Sequence, residues 1–76
     1  MRQHSVKIIS LNSPVLIGRF MTIFSRRRVE VTNYSFSKLN NGDGQFTIDF
    51  VSDDHMAMNI QKQLDKQLDI FETTLN

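Results

Sequence analysis

The chain has 76 residues, and we expect a single small domain over residues 1–76. It contains no cysteine, which excludes disulfides, thiolate zinc sites and a cysteine nucleophile. Hydrophobic residues make up 39% and charged residues 22% of the chain, a mix typical of globular proteins. No apolar run reaches the roughly 20 residues of a membrane span, and the first residues lack a secretory signal, so we expect a soluble, cytoplasmic protein.

The first predicted elements are a strand from His4 to Leu11 and a helix that follows it. Ser13 and then Pro14 predict the start of the helix, with the serine hydroxyl as the cap and proline in the first helical position. The apolar residues after them form one stripe of a helix of about three to four turns. They are Leu16, Ile17, Phe20, Ile23 and Phe24. Arg26–Arg28 suit the negative end of the helix dipole, but no glycine ends the helix.

The second and third predicted strands form a hairpin. The second runs from Val29 to Lys38, and its apolar side chains change parity between Val31 and Tyr34, which indicates a bulge or burial of both faces. Residues Asn40–Gly44 predict a turn, because asparagine, aspartate and glycine tolerate positive φ. The third strand alternates cleanly and has three apolar residues on one face. These are Phe46, Ile48 and Phe50.

A second helix and a last strand complete the chain. Ser52 is predicted to cap this helix, with Asp53 and Asp54 as carboxylates in its first turn. The apolar residues of the helix repeat every four positions, with Ala57 beside them. They are Met56, Ile60, Leu64 and Leu68. Strand-like residues return from Asp69 to Leu75.

The order of these elements predicts an α+β fold, the ferredoxin-like βαββαβ sandwich with a four-stranded antiparallel sheet and both helices on one face. The net charge is only +1, but residues 1–38 hold seven of the nine Lys and Arg residues, and residues 39–76 hold seven of the eight acids. Antiparallel helices would bring Arg26–Arg28 near Asp53 and Asp54. We interpret most of this asymmetry as complementarity within the fold, and a nucleic-acid-binding face is the weaker interpretation.

No pattern of residues predicts an active site. His4 and His55 have no neighbours at metal-ligand spacing, so no metal site is expected. Helix capping accounts for Asp53 and Asp54 more simply than general acid–base catalysis does. The hairpin glycines precede no helix, and no serine lies in a nucleophile elbow.

Three apolar residues, Ile9, Leu11 and Val51, have parities that differ from the best core positions. An apolar remainder on the open face of such a small sheet indicates association with another chain. The alternative interpretation is ordinary packing at the rim of the core.

Two stretches of the chain resemble a known family. Asn12–Phe20, followed by Ile23–Arg27, resembles the start of an ACT domain, a small amino-acid-sensing regulatory module. Ile60–Ile70 is similar to the I-x-K-Q-L-x-K-L-V-D-V stretch of the small regulatory subunits of acetolactate (acetohydroxyacid) synthase, and Phe46–Ile48 matches their third strand. Several other residues resemble the short isozyme II type, which is a single ACT domain. They are Gln3, His4, Val6, Pro14 and Arg19.

The resemblance implies a non-catalytic regulatory or activating subunit in branched-chain amino-acid biosynthesis. Its partner would be the large catalytic subunit, which holds thiamine diphosphate, magnesium and FAD, and no cofactor is expected in this chain. The resemblance also implies a homodimer through the second strand and a possible amino-acid effector. The main alternative is a free-standing ACT-domain amino-acid sensor or dimerisation module. A nucleic-acid-binding module and an acylphosphatase-like enzyme on this fold are weaker alternatives.

The resemblance places a candidate effector site in the loop after the first strand and at the start of the second strand. Its residues are Asn12, Ser13, Val15, Leu16 and Glu30. Asn12 matches the effector-binding asparagine of the family, whereas Val15 replaces a loop glycine and Glu30 replaces an asparagine that reaches the effector across the dimer. Arg28 replaces the glycine that ends the first helix. A branched side chain and an added carboxylate predict weak or absent valine binding.

Overall fold

The computed structural model describes residues 1–76 and has four strands and two helices in the predicted order. The strands are β1 (Arg2–Ser10), β2 (Glu30–Lys38), β3 (Gly44–Ser52) and β4 (Ile70–Leu75), and the helices are α1 (Leu16–Arg26) and α2 (Asp54–Asp65). All strand pairs are antiparallel, and the sheet order is β2-β3-β1-β4. The predicted ferredoxin-like sandwich is confirmed. Neither helix is long and apolar enough to cross a membrane.

One face of the sheet packs against both helices and forms the core. In β3 every second residue from Gly44 to Ser52 is buried, which confirms its predicted apolar face. The core consists of Val6, Ile8, Leu16, Phe20, Phe24, Phe46, Ile48, Phe50, Ala57, Ile60 and Leu64. Phe20 meets Phe46 edge to face at an interplanar angle of 88°, and Phe24 meets Phe50 at 62°, with ring centroids 5.1 Å apart in both pairs. These aromatic pairs hold α1 against β3.

A bulge in β2 explains its change of parity. The pairing of β2 with β3 shifts register between Val31 and Asn33. Thr32 lies at the shift, and its Oγ1 donates a hydrogen bond to the carbonyl of Asp49 at 3.2 Å. Because one residue is inserted, Val31 and Tyr34 both lie on the helix side of the sheet. The predicted bulge is confirmed.

The predicted turn between β2 and β3 is also confirmed. Gly42 has a φ of +93°, in the left-handed region that favours glycine. The side-chain oxygen of Asn41 accepts a hydrogen bond from the Asp43 amide at 3.0 Å, and the Leu39 amide donates to the Asp43 carbonyl at 2.8 Å. The asparagine side chain thus replaces a backbone acceptor within the turn.

The predicted serine caps of both helices are wrong. Helix α1 begins at Leu16, after Val15 in a helical conformation, and no side chain caps it. Ser13 acts through its carbonyl, which accepts a hydrogen bond from the Leu16 amide at 3.1 Å. In α2 the cap is Asp53, whose Oδ1 accepts from the Met56 amide at 2.7 Å. A serine next to the true cap position cannot reach the same amide.

Leu68 does not continue the apolar stripe of α2, as its four-residue spacing predicted. The helix ends at Asp65, and Lys66 follows as its C-cap. The Gln67 amide then donates to the Leu64 carbonyl in a turn, so the helical period stops before Leu68. The side chain of Leu68 is 95% exposed and lies outside the core.

Helix α1 ends in a Schellman motif that has arginine where glycine is usual. The Val29 amide donates to the Phe24 carbonyl at 3.1 Å, and the Arg28 amide donates to the Ser25 carbonyl at 3.0 Å. Arg28 has a φ of +55°, the one positive φ of a non-glycine residue in the chain. The missing glycine noted in the sequence is therefore replaced by a left-handed arginine, at a conformational cost of about 1 kcal/mol.

Ion pairs join the basic first half to the acidic second half, but not where they were expected. Arg2 pairs with Asp54 at 3.1 Å, and Arg19 pairs with Asp69 at 2.7 Å. The expected approach of Arg26–Arg28 to Asp53 and Asp54 produces no ion pair, because Asp54 pairs with Arg2 and the carboxylate of Asp53 caps α2. These two ion pairs show that part of the charge asymmetry is complementarity within the fold. Arg26–Arg28 take part in neither pair.

Two of the apolar residues expected on the open face of the sheet lie far apart. Ile9 and Val51 lie on this face and are half-buried, but Ile9 pairs with Gln45 and Val51 pairs with Gln3. Six residues of β1 separate the two positions, a distance of about 20 Å. Leu11 lies beyond the end of β1 and is exposed. Ile9 and Val51 therefore do not form one apolar patch.

Candidate functional site

The loop from Leu11 to Val15 connects β1 to α1 and holds most of the candidate effector residues. The Leu11 amide donates to the Asp69 carbonyl at 3.0 Å, and the Ser13 amide donates back to the Leu11 carbonyl at 2.8 Å. The carboxylate of Asp69 pairs with Arg19 on α1. Asp69 therefore ties both the loop and α1 to the start of β4, a role that was not predicted from the sequence.

Gly44, the first residue of β3, lies directly against the loop. A Cβ atom at Gly44 would lie 2.9 Å from the Leu11 carbonyl oxygen, 3.2 Å from the Cα of Asn12 and 2.8 Å from the Phe36 ring. Two of these neighbours are backbone atoms, which cannot move aside as a flexible side chain can. Only glycine lets the loop lie this close to the start of β3.

Few backbone donors of the loop are free to hold a ligand. The amides of Leu16, Ile17 and Gly18 donate to the carbonyls of the three residues from Ser13 to Val15. The amides of Asn12 and Val15 donate to no group within the chain. These two amides and the exposed Asn12 side chain are the polar groups that the loop offers to a carboxylate.

The structure distributes the five candidate residues over three environments. Asn12 and Val15 are exposed, Val15 to 80%, and Ser13 is half-buried. Leu16 is buried in the core, so its side chain faces the sheet and not the loop surface. Glu30 is exposed on β2. Asn12, Ser13, Val15 and Leu16 are therefore neighbours along the chain. Of these four, only Asn12 and Val15 have exposed side chains.

Glu30 lies at the far end of the sheet from the other four residues. It pairs with Val51, whereas Lys38, at the other end of β2, pairs with Gly44 beneath the loop. Eight residues of strand separate Glu30 from Lys38, a distance of about 25 Å. One chain therefore cannot combine Glu30 and Asn12 in a single site, and a joint site requires a second chain.

The free edge of β2 borders an apolar groove. No strand pairs with the outer side of β2. A groove of about 430 Å³ lies between this strand and α1. It is lined by Met21, Val31, Thr32, Asn33 and Tyr34. This groove was not predicted from the sequence. Met21 lies four residues after Ile17, and this helical spacing was a signal that could have placed it among the apolar residues of α1. No group of three His, Asp or Glu side chains is arranged to hold a metal ion.

Comparison with known proteins identifies the fold. No family model matches the chain, and no curated protein matches its sequence. Among solved structures, the acetolactate synthase small subunit from Thermotoga maritima superposes with a TM-score of 0.85 at 22% identity, over 99% of this chain and 47% of that one. The ACT domain of the GTP pyrophosphokinase of Chlorobium tepidum superposes with a TM-score of 0.75 at 11% identity, over 97% and 96%. The fold is that of an ACT domain.

The chain also superposes on a domain of a protein of a different kind. The C-terminal domain of the MgtC protein from Mycobacterium tuberculosis matches with a TM-score of 0.81 at 8% identity, over 97% of this chain and 84% of that one. All these identities are below 25%, so the likeness shows the fold alone. The chain spans about half the length of the Thermotoga maritima subunit.

Proposed function

We propose that this chain is a non-catalytic regulatory small subunit of an acetolactate synthase, which binds and activates the large catalytic subunit in the cytoplasm. The observation that carries the proposal is the superposition on the Thermotoga maritima small subunit over 99% of this chain. The resemblance of Ile60–Ile70 to the same family supports it, because this stretch includes residues outside the core. In this proposal the chain contributes no catalytic group, and thiamine diphosphate, magnesium and FAD belong to the large subunit.

The proposed subunit acts as a homodimer through β2. The free edge of β2 has unpaired backbone groups, and the groove beside it contains Met21, Val31 and Tyr34. If two β2 strands pair antiparallel about a twofold axis at Tyr34, Glu30 of each chain lies opposite Lys38 of its partner. Both residues are exposed and form no ion pair within the chain. Glu30 shares its face of the sheet with Val51 and Lys38 shares its face with Gly44, so the unpaired backbone groups of β2, and not this pair of charges, support the pairing.

The same pairing would complete the candidate effector site. It brings Glu30 of one chain to the Lys38 end of the other, where the Asn12 loop lies over Gly44. A carboxylate there repels the carboxylate of an amino acid, and the exposed Val15 side chain occupies the approach to the loop amides. We therefore propose a dimer with weak or absent valine binding, which activates the large subunit without strong feedback inhibition by valine.

Mixing the full chain with the purified large subunit of the same organism tests the proposal. The chain alone should form no acetolactate from pyruvate, and its addition should bind the large subunit and raise the rate of acetolactate formation. Co-elution from a sizing column measures the binding. Absence of binding would contradict the proposed function. Binding with an unchanged rate of acetolactate formation would contradict activation and leave only a scaffold role for the chain.

A further inference from the structure

Arg26 and Arg28 have no partner within the chain. Neither guanidinium forms an ion pair, and neither donates a hydrogen bond to another residue. Arg27, between them, is held in place: its Nε donates to the side-chain oxygen of Asn59 at 2.9 Å, and its Nη1 donates to the Ile23 carbonyl at 3.1 Å. The run therefore consists of one anchored arginine and two that face solvent.

The backbone of Arg28 is a second, independent observation. Its φ of +55° is a conformation that glycine adopts without cost and that a residue with a Cβ adopts at a cost. Helix-dipole complementarity accounts for Arg26 and Arg27, which lie in or next to the last turn of α1. Arg28 lies beyond that turn, so the dipole does not account for it. Its side chain forms no ion pair and donates no hydrogen bond within the chain, so neither interaction accounts for an arginine in this conformation.

The outer face of α2 continues this basic surface. A shallow groove of about 120 Å³ is lined there by His55, Met58, Asn59 and Lys62. The hydrogen bond from Arg27 to Asn59 joins the groove to the end of α1. Met58 is 58% exposed at the groove. We name this surface the arginine patch. It consists of Arg26, Arg27, Arg28, His55, Met58 and Lys62.

The two carboxylates at the start of α2, next to the arginine patch, are already engaged. Asp54 accepts hydrogen bonds from Arg2 at 3.1 and 3.2 Å and lies 3.5 Å from the ring nitrogen of His4. Asp53 caps α2 through its carboxylate. Neither acid pairs with the patch, so its positive charge remains available to a partner.

We propose that the arginine patch docks a carboxylate-rich segment of the large catalytic subunit. This inference rests on the proposed function and adds the surface and the chemistry of its contact. Arginine is enriched at protein interfaces, and Met58 supplies an apolar centre among the charges. A nucleic acid fits less well, because the net charge is +1 and the exposed aromatic residues, Tyr34 and Phe71, lie on β2 and β4, outside the patch.

Two charge-matched variants test the docking surface against the large subunit. Arg26→Gln with Arg28→Gln removes two charges from the patch and keeps a Cβ at position 28. Lys7→Gln with Lys66→Gln removes two charges elsewhere, from exposed residues without ion pairs. We expect the arginine variant to bind about fivefold more weakly, with a smaller salt dependence, and the lysine control to change affinity less than about twofold. Equal affinities for the two variants would overturn the proposal, even where the wild type binds and activates.

A titration with defined probes separates the patch from the proposed function. The ¹⁵N-labelled full chain is titrated with a peptide of alternating glutamate and leucine, and separately with a single-stranded DNA of equal charge. We expect peptide-induced amide shifts at residues 26–28 and 55–62, and their loss in the arginine variant. Shifts elsewhere, no shifts, or tighter binding of the DNA would overturn the proposal. If the wild type does not bind the large subunit, the proposed function fails, and localised peptide shifts would still support a carboxylate-binding patch.

Discussion

Strands β2 and β3 lie side by side, have nine residues each, and relate to the core in opposite ways. In β3 every second residue is buried, whereas no residue of β2 is fully buried and only Val31 and Phe36 are half-buried. The side chains of β3 are therefore constrained by the chain's own core. Those of β2 are mostly exposed, and only Val31 and Phe36 pack against that core, so this difference separates the stability of the molecule from its proposed interactions.

Truncation of equivalent aromatic residues on the two strands gives the largest expected effect. Phe46 on β3 is fully buried and contacts the rings of Phe20 and Phe36, so Phe46→Ala should lower the free energy of unfolding by about 3–5 kcal/mol. Phe36→Ala on β2 is the matched control and should cost about half as much, since Phe36 is half-buried. Urea denaturation measures both values. Equal losses would contradict the contrast between the strands.

Valine binding tests whether Glu30 on β2 acts on another chain. Calorimetric titration should show weak or no binding of valine to the wild type. Val15→Gly together with Glu30→Asn should strengthen binding by up to about two orders of magnitude, because a steric and a like-charge contact are both removed. In one chain Glu30 lies at the opposite end of the sheet from the loop that holds Val15, so their effects should combine only in the dimer. Tight binding of valine to the wild type would contradict this prediction.

A methyl group added at Gly44, the first residue of β3, tests the contact between sheet and loop. Gly44→Ala places a Cβ within 2.9 Å of the Leu11 carbonyl and should lower the free energy of unfolding by about 1–3 kcal/mol. Gly18→Ala is the control, since a Cβ there has no neighbour within 4 Å and lies in α1. It should stabilise the chain by up to about 1 kcal/mol. A Gly44→Ala variant as stable as the wild type would show that the loop shifts freely.

These expectations also show which parts of the molecule could be predicted from the sequence. The alternation of β3 and the apolar stripe of α1 predicted their elements, because burial within one chain determines both. The helix starts were mispredicted where neighbouring polar residues compete, since backbone geometry decides whether Ser52 or Asp53 caps α2. Leu68 fitted a period that ended with the helix, and no glycine or proline marks that end.

The candidate site was less predictable for a different reason. Asn12 and Glu30 lie at opposite ends of the sheet in one chain, and the proposed site joins them only through a second chain. The groove beside β2 combines Met21 from α1 with residues around a bulge, and no local motif joins them. Contacts between elements, and between chains, are not encoded in the spacing of residues along one segment.

The smallest expected effect concerns Arg28, which lies two residues before the start of β2. Arg28→Gly removes the Cβ from a residue with φ of +55° and should raise the free energy of unfolding by about 0.5–1 kcal/mol. The Schellman hydrogen bonds of Arg28 and Val29 use backbone atoms and should persist in the variant. Thermal unfolding of a domain of this size should shift upward by a few degrees, about 4–8 °C per kcal/mol.

Arg28→Ala is the matched control, because it removes the same charge but keeps a Cβ. It should leave stability unchanged within about 0.5 kcal/mol, since the side chain of Arg28 contacts no partner in the chain. If both variants were more stable than the wild type, the gain would come from removing the charge of Arg28 and not from relieving its backbone conformation. If only Arg28→Gly gains stability while both variants bind the large subunit more weakly, then position 28 retains arginine at a cost in stability, for a contact outside the chain.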